Sequence, residues 1–394
     1  TLSFFLKSTS NKAMLLQAVT SIRSAVLAIY LFVFTIQTQV CVVVVTSLTA
    51  EWLELQPATK ISPRRSGHAS FGTLDRHYVF GGYVETEDSS NTNTIRRYVT
   101  NDLWRWQKNN WHQVISQGNL PPACLVAASA LVEDSNNDNN AKAYLFGGWD
   151  PGTEGTGGNI LDTVHELDLN TYCWRRLNVS MPDGPTSRHV AVSLKNSNTI
   201  LIHNHRCIGN VWLFDPTTEI FRRQPTTGPT PSSRGLHAAT RLEDDSILIF
   251  GGASKDGGMS NEAFRLDTHS WAWEQVGLKS TTRPSPRAAP CLTVYDQHCV
   301  ILFGGAEAST EKGLKPKGDV WALHLDSDQW ELLLDDDDLP ISNSKTPRPP
   351  PRNAASMAPI IIDTGHNPTT GKEFLLSGGW HPFLKTWDDF LFFK

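Results

Sequence analysis

The stretches Tyr78–Gly82 (YVFGG), Tyr144–Gly148 (YLFGG), Leu248–Gly252 (LIFGG), Leu302–Gly305 (LFGG) and Leu375–Gly379 (LLSGG) share one pattern. Each is an apolar run closed by a pair of glycines. A sixth stretch, Leu201–Cys207 (LIHNHRC), stands in the same register with His203 and Asn204-His205 in place of the aromatic residue and the pair. Counting that stretch, the pairs lie about 47 to 74 residues apart, so the chain is read first as a repeat array.

Two further landmarks recur. One is a short strand opened by a polar or acidic residue: NDLWRW from Asn101, TVHELD from Thr163, NVWLFD from Asn210, NEAFRLD from Asn261, DVWALHLD from Asp319 and DDFLFF from Asp388. Their alternation has the two-residue period of a strand. The other is an aromatic residue about eleven positions on, at Trp174, Phe221, Trp273 and Trp330, with Trp111 slightly nearer. That spacing holds a turn and one more strand. With the strand before the glycine pair, each unit makes a four-stranded antiparallel blade, the element of a β-propeller. The glycines permit positive φ and close approach of a neighbouring chain, and the aromatic residue fills the wedge between blades.

These residues resemble the kelch repeat family, over about Glu51 to Lys394. The resemblance implies an all-β, six-bladed kelch propeller. The last unit ends at Lys394 before its aromatic strand, while EWLEL at Glu51–Leu55 carries Trp52 without a glycine pair before it. The N-terminal strand is therefore expected to close the last blade and remove the open edge. The expected domains are an apolar segment over 1–50 and the propeller over 51–394.

Ala25–Leu48 is an almost uncharged apolar run preceded by Lys7, Lys12 and Arg23, which reads as an N-terminal apolar helix, a signal segment or an anchor. If native, it places the protein at a membrane or in the secretory pathway; otherwise the reading is cytoplasmic. A net charge of −5 supplies no basic field for nucleic acid. The six cysteines have neither CxxC nor zinc-finger spacing and read as small apolar residues.

In kelch propellers the loops entering the innermost strands gather on one face, where binding occurs. Here those loops end in Arg65, Arg188, Arg234, Arg287 and Arg352, and only LPPAC at Leu120–Cys124 has none. Guanidiniums around one mouth could converge on a carboxylate, so the expected partner is a protein or peptide with an acidic or C-terminal segment. Local pairing of each arginine within the fold is the competing expectation. His203, His205 and Cys207 would share one face of a continuous strand, a weak metal-ligand spacing lacking a fourth ligand. His68 and His237 lie three residues after Arg65 and Arg234, but Pro290 fills that place in the fifth unit. The insertions Val84–Thr100, Trp149–Leu161, Ala306–Gly318 and Asp335–Pro351 read as exposed connecting loops. No nucleophile elbow, zinc-protease or phosphate-loop motif occurs. The expectation is a binding scaffold or recognition adaptor with no catalytic residues, metal or cofactor. The alternative is a metal-dependent enzyme of the oxidase or specifier-protein type, built on the same kelch propeller.

Overall fold

The computed structural model describes residues 34–36, 39–41, 52–54, 64–88, 91–108, 110–134, 137–152, 158–309, 313–336, 349–360, 373–381, 385–386 and 390–393. Every regular element among them is a β-strand. The chain divides into two compact units, Thr1–Thr49 and Ala50–Lys394.

In the smaller unit, Phe34–Ile36 pairs antiparallel with Gln39–Cys41. The expected apolar helix over this stretch is thus corrected: the described part is extended, in keeping with the strand preference of β-branched Thr35, Ile36 and Val40. The rest of residues 1–49 lies outside the described residues. No helix among the described residues is long and apolar enough to cross a membrane.

In the larger unit, five blades are each completed by strands that follow one another along the chain. The first runs from Ala69–Gly72 to Asn110–Val114, the second from Ala128–Asp134 to Cys173–Ser180, and the third from Val190–Ser193 to Ile220–Pro225. The fourth runs from Ala238–Arg241 to Ala272–Val276 and the fifth from Cys291–Asp296 to Gln329–Leu334. The expectation of six blades is corrected to five of this kind. A further four-stranded sheet is composite: Ser356–Ile360, Glu373–Ser377 and Phe390–Phe393 are joined by Trp52–Glu54, with Trp52 opposite Phe393 and Glu54 opposite Leu391.

The repeat landmarks now have physical roles. The second strands are the most buried parts of the fold; Ile247, Leu248, Ile249 and Phe250 are all fully inaccessible. The aromatic residue of each outer strand packs on the second strand of the preceding blade, as in Phe80–Trp174, Phe146–Phe221 and Phe250–Trp330, with centroids 5.1, 6.3 and 5.3 Å apart. His203 fills the same place against Trp273 at 5.8 Å, and Trp52 of the composite sheet packs on Phe303 at 5.2 Å.

The glycine pair makes the joint between neighbours. The Gly252 N–H donates to the Arg287 carbonyl at 2.9 Å, with φ +71° and +100° at Gly251 and Gly252. A Cβ on Gly251 would sit 2.7 Å from that carbonyl, which is why the position excludes a side chain. Equivalent bonds run from Gly82 to Cys124, Gly148 to Thr186, Gly305 to Arg352 and Gly379 to Arg65. Asn204-His205 makes no such bond to Arg234; instead Ser233 Oγ donates to the His205 carbonyl at 2.6 Å.

Three expected loops are longer hairpins instead, the second blade's pairing Trp149 with Ile160 and Asp150 with Asn159. Glu85 pairs with Arg97 and Glu87 with Ile95 beyond the first glycine pair, and Ala306–Ser309 pairs with Gly313–Pro316 in the fifth blade. Alternating side chains such as Tyr83 and Glu85, which are hydrogen-bonded at 2.8 Å, let the ladder continue past the blade. Residues 337–348 of the fourth expected loop lie outside the described residues.

Candidate functional site: the neck of the ring

Two residues beyond each arginine position the chain turns through a left-handed conformation. The six residues there are Gly67, Val126, Arg188, Leu236, Ala289 and Ala354, with φ between +49° and +60°. Their main chains form a closed hoop. Val126 N–H donates to Gly67 O, Arg188 to Val126, Leu236 to Arg188, Ala289 to Leu236, Ala354 to Ala289, and Gly67 back to Ala354, at 2.7 to 3.0 Å. The hoop, with the residue after each turn, surrounds a cavity of about 130 Å³ at the centre of the ring.

This register separates the five expected site arginines into two kinds. Arg65, Arg234, Arg287 and Arg352 occupy equivalent positions and are 0 to 2% exposed. Arg287 donates to both carboxylate oxygens of Asp319 at 2.6 and 2.8 Å, to the Gly304 carbonyl at 3.0 Å and to Ser285. Arg65 grips Asp102 bidentately at 3.0 Å and donates to Gly81 O at 2.9 Å. Arg234 reaches Glu262 at 2.7 Å, and Arg352 donates to the carbonyls of Gly378 and Pro350. These four guanidiniums tie an incoming loop to the glycine turn of the same sheet, so they do not present a free fork to the mouth.

For Arg65, Arg234 and Arg287 the acidic partner, Asp102, Glu262 or Asp319, is the residue that begins the third-strand motif. Blades whose arginine position holds Cys124 or Thr186 have Thr163 or Asn210 there instead. Burial pushes the Asp319 carboxyl up, but hydrogen bonds and charge from Arg287, with a hydrogen bond from Trp321, hold it below its ordinary value. Asp102 is held down in the same way against burial by Arg65, Trp104 and Thr100.

Arg188 is the exception. Thr186 occupies the arginine position of the third blade, and Arg188 sits on the hoop itself, exposed to solvent. Its guanidinium lies 5.6 Å from the Trp149 ring centroid and has no acidic partner among the described residues.

Three histidines line the neck, at the entries to the first, third and fourth blades. His68, His189 and His237 follow the hoop residues, and His189 escapes the sequence reading because that reading sets Arg188 two residues out of register. His203 Nδ1 lies 3.0 Å from His237 Nε2. The strand expected to carry His203, His205 and Cys207 on one face ends at His203, and Cys207 N–H donates back to Asn204 O at 3.0 Å. The three side chains therefore do not converge, and no cluster of three or more His, Cys, Asp or Glu among the described residues could hold a metal ion.

Burial lowers the pKa of His189 and His203 to about 3, with His205 and Arg234 adding charge repulsion respectively, and burial lowers His77 to about 4. Each imidazole is neutral in the fold and free to protonate on unfolding, so its contribution is lost as pH falls below about 6.5. At pH 5 the cost is about 2 kcal/mol per fully buried imidazole. The thermal midpoint, followed by tryptophan fluorescence, should therefore fall steadily from pH 6.5 to pH 4.5, before Asp102 and Asp319 begin to protonate. A flat profile over that interval would contradict these buried neutral rings.

Strand order, glycine joints and the central hoop together define a β-propeller. The KLHDC2/KLHL20/DRC7 Kelch-repeats domain matches residues 30–203 and 201–362, and the chain belongs to that kelch family. Among curated relatives, mouse kelch domain-containing protein 1 is 22% identical over 69% of this chain and 70% of its own length. Bovine kelch domain-containing protein 2 is 24% identical over 72% and 57%. Acyl-CoA-binding domain-containing protein 4 of Arabidopsis thaliana is 24% identical over 66% of this chain, which spans only 37% of that relative. The solved structure of YjhT has the same fold, with a TM-score of 0.54, 15% identity, and coverage of 83% of this chain and 94% of that one.

Proposed function

We propose that this chain is a scaffold that holds a protein or peptide partner on the neck face, as a recognition adaptor does, and that Arg188 contacts an acidic side chain or terminal carboxylate of that partner. The observation that carries the reading is the contrast between Arg188 and the four buried arginines. A guanidinium stacked on Trp149 at the mouth, with no carboxylate of its own, keeps its bidentate fork available. The hairpins of the first, second and fifth blades supply further exposed contact surface beside it. The composite sheet, in this reading, serves as a sixth blade that closes the ring.

Affinity capture followed by mass spectrometry, with wild type beside Arg188→Glu, tests the site. The substitution should leave the thermal midpoint within about 2 °C, as a surface change does, and reduce partner recovery at least tenfold. Undiminished recovery would remove Arg188 from the interface. Metal analysis of the purified protein separates this reading from the enzyme alternative, since stoichiometric copper, iron or zinc would favour the latter.

A further inference from the structure

Three blades have their outermost strand covered by chain arriving from the blade before. Gln117–Gly118 runs parallel to Cys173–Trp174 of the second blade, and Thr227 pairs in parallel with Ala272 of the fourth. In the fifth, Lys279 N–H donates to the Asp328 carbonyl at 3.2 Å. Each strap carries a glycine with φ between +74° and +83° where it crosses the outer aromatic residue: Gly118 at Trp174, Gly228 at Trp273 and Gly277 at Trp330. A Cβ at Gly228 would stand 2.2 Å from the Trp273 carbonyl. Beneath these straps the three tryptophans are 1 to 6% exposed.

The third blade has no such strap among the described residues. The chain leaving the second blade stays with its own sheet, pairing Ser180 with Thr163 and donating from Met181 N–H to Asp162 O at 2.8 Å. Ile220–Pro225 is consequently an open edge, with Ile220 60% exposed. Phe221 opposes Phe214 as Trp273 opposes Leu266. By that register the Phe221 N–H and C=O point outward, as do their counterparts at Trp273, whose N–H bonds Thr227, and Trp174, whose carbonyl accepts from Asn119. The Glu219 carbonyl corresponds to those of Tyr172 and Trp271, which accept strap N–H groups at 3.0 Å.

We propose that Ile220–Pro225 is a docking edge for an extended acidic segment of a partner protein, which adds to the third blade as a parallel strand with a glycine opposite Phe221. The three straps display the backbone geometry that this edge accepts. Charge selects the occupant. Arg222 and Arg223 on the edge are exposed and bond only Gln224 and Asn210 among the described residues, with no carboxylate partner. A second copy of this chain, paired edge to edge about a two-fold axis, would bring these arginines against their own counterparts, which opposes self-association. The edge is separate from the neck site, so either can fail alone.

The probe is a fluorescein-labelled peptide, EDTTGDE, patterned on the strap that covers the fourth blade with acidic residues added, titrated by anisotropy against the full chain. Saturable binding is expected. The double substitution Arg222→Glu and Arg223→Glu should weaken it at least tenfold at unchanged thermal midpoint, while Arg188→Glu should leave it unaltered. Methylating the peptide nitrogen next before the glycine removes the strand donor without touching the protein, and should abolish binding. Absence of binding at millimolar peptide, or binding indifferent to both charge reversal and N-methylation, overturns the proposal. So does a sedimenting dimer of the free chain that the peptide dissociates, because the edge would then belong to a second copy.

Discussion

Deleting residues 51–56 should cost the propeller its cooperative unfolding transition, or lower its midpoint further than loss of the Trp52 side chain alone. The deletion removes Trp52–Glu54, the outer strand of the composite sheet, and exposes the main-chain edge of Phe390–Phe393. It also removes the 3% exposed Trp52, whose ring meets Phe303 at the joint with the fifth blade. Trp52→Ala is the milder form and should cost about 3–5 kcal/mol, the usual range for a large core aromatic residue. Scanning calorimetry of both variants beside the wild type is the measurement. A deletion variant that melts with the wild type would show that the ring does not depend on this strand.

The second large effect is expected at Arg287. Arg287→Ala leaves the Asp319 carboxylate without its bidentate partner at a site where Asp319 is only 4% exposed. Breaking one side of such a buried pair costs about 3–5 kcal/mol. Replacing both partners, as Arg287→Met with Asp319→Leu, should recover most of that loss, since no buried charge remains. The second blade already manages with Cys124 and Thr163 in these places. Denaturant midpoints of the two single variants and the double variant form the cycle. If the double variant is as unstable as the sum of the singles, the ion pair is not what holds the loop.

The repeat was legible because its landmarks answer to sterics and packing that act locally. A glycine pair at a joint and an aromatic residue in a wedge leave the same residues in each unit. The arginines were legible as a series but not as a set of roles. Arg65 and Arg234 are followed after three positions by His68 and His237, whereas Arg188 is followed directly by His189. That two-residue slip was the sign that Arg188 belongs to the hoop. The matching loss of the acidic residue at Asn210 was the sign that Thr186 belongs to the arginine position. The hairpins beyond the glycine pairs were hidden by their Ser, Thr and Asn content, which reads as loop until cross-strand partners such as Glu85 and Arg97 are seen 3.3 Å apart. The uncovered edge of the third blade depends on where Ser180 and Met181 find hydrogen bonds, a tertiary choice that no local pattern records.

The hoop at the neck holds itself together through main-chain groups alone. Its six members share a backbone shape, yet they are glycine, valine, arginine, leucine and two alanines. Side chains there can be exchanged at the modest cost of a left-handed non-glycine residue while every hydrogen bond of the hoop persists. Evolution therefore has a fixed frame with six interchangeable positions around one opening, in which what is recognised can be rewritten one residue at a time without re-inventing the fold.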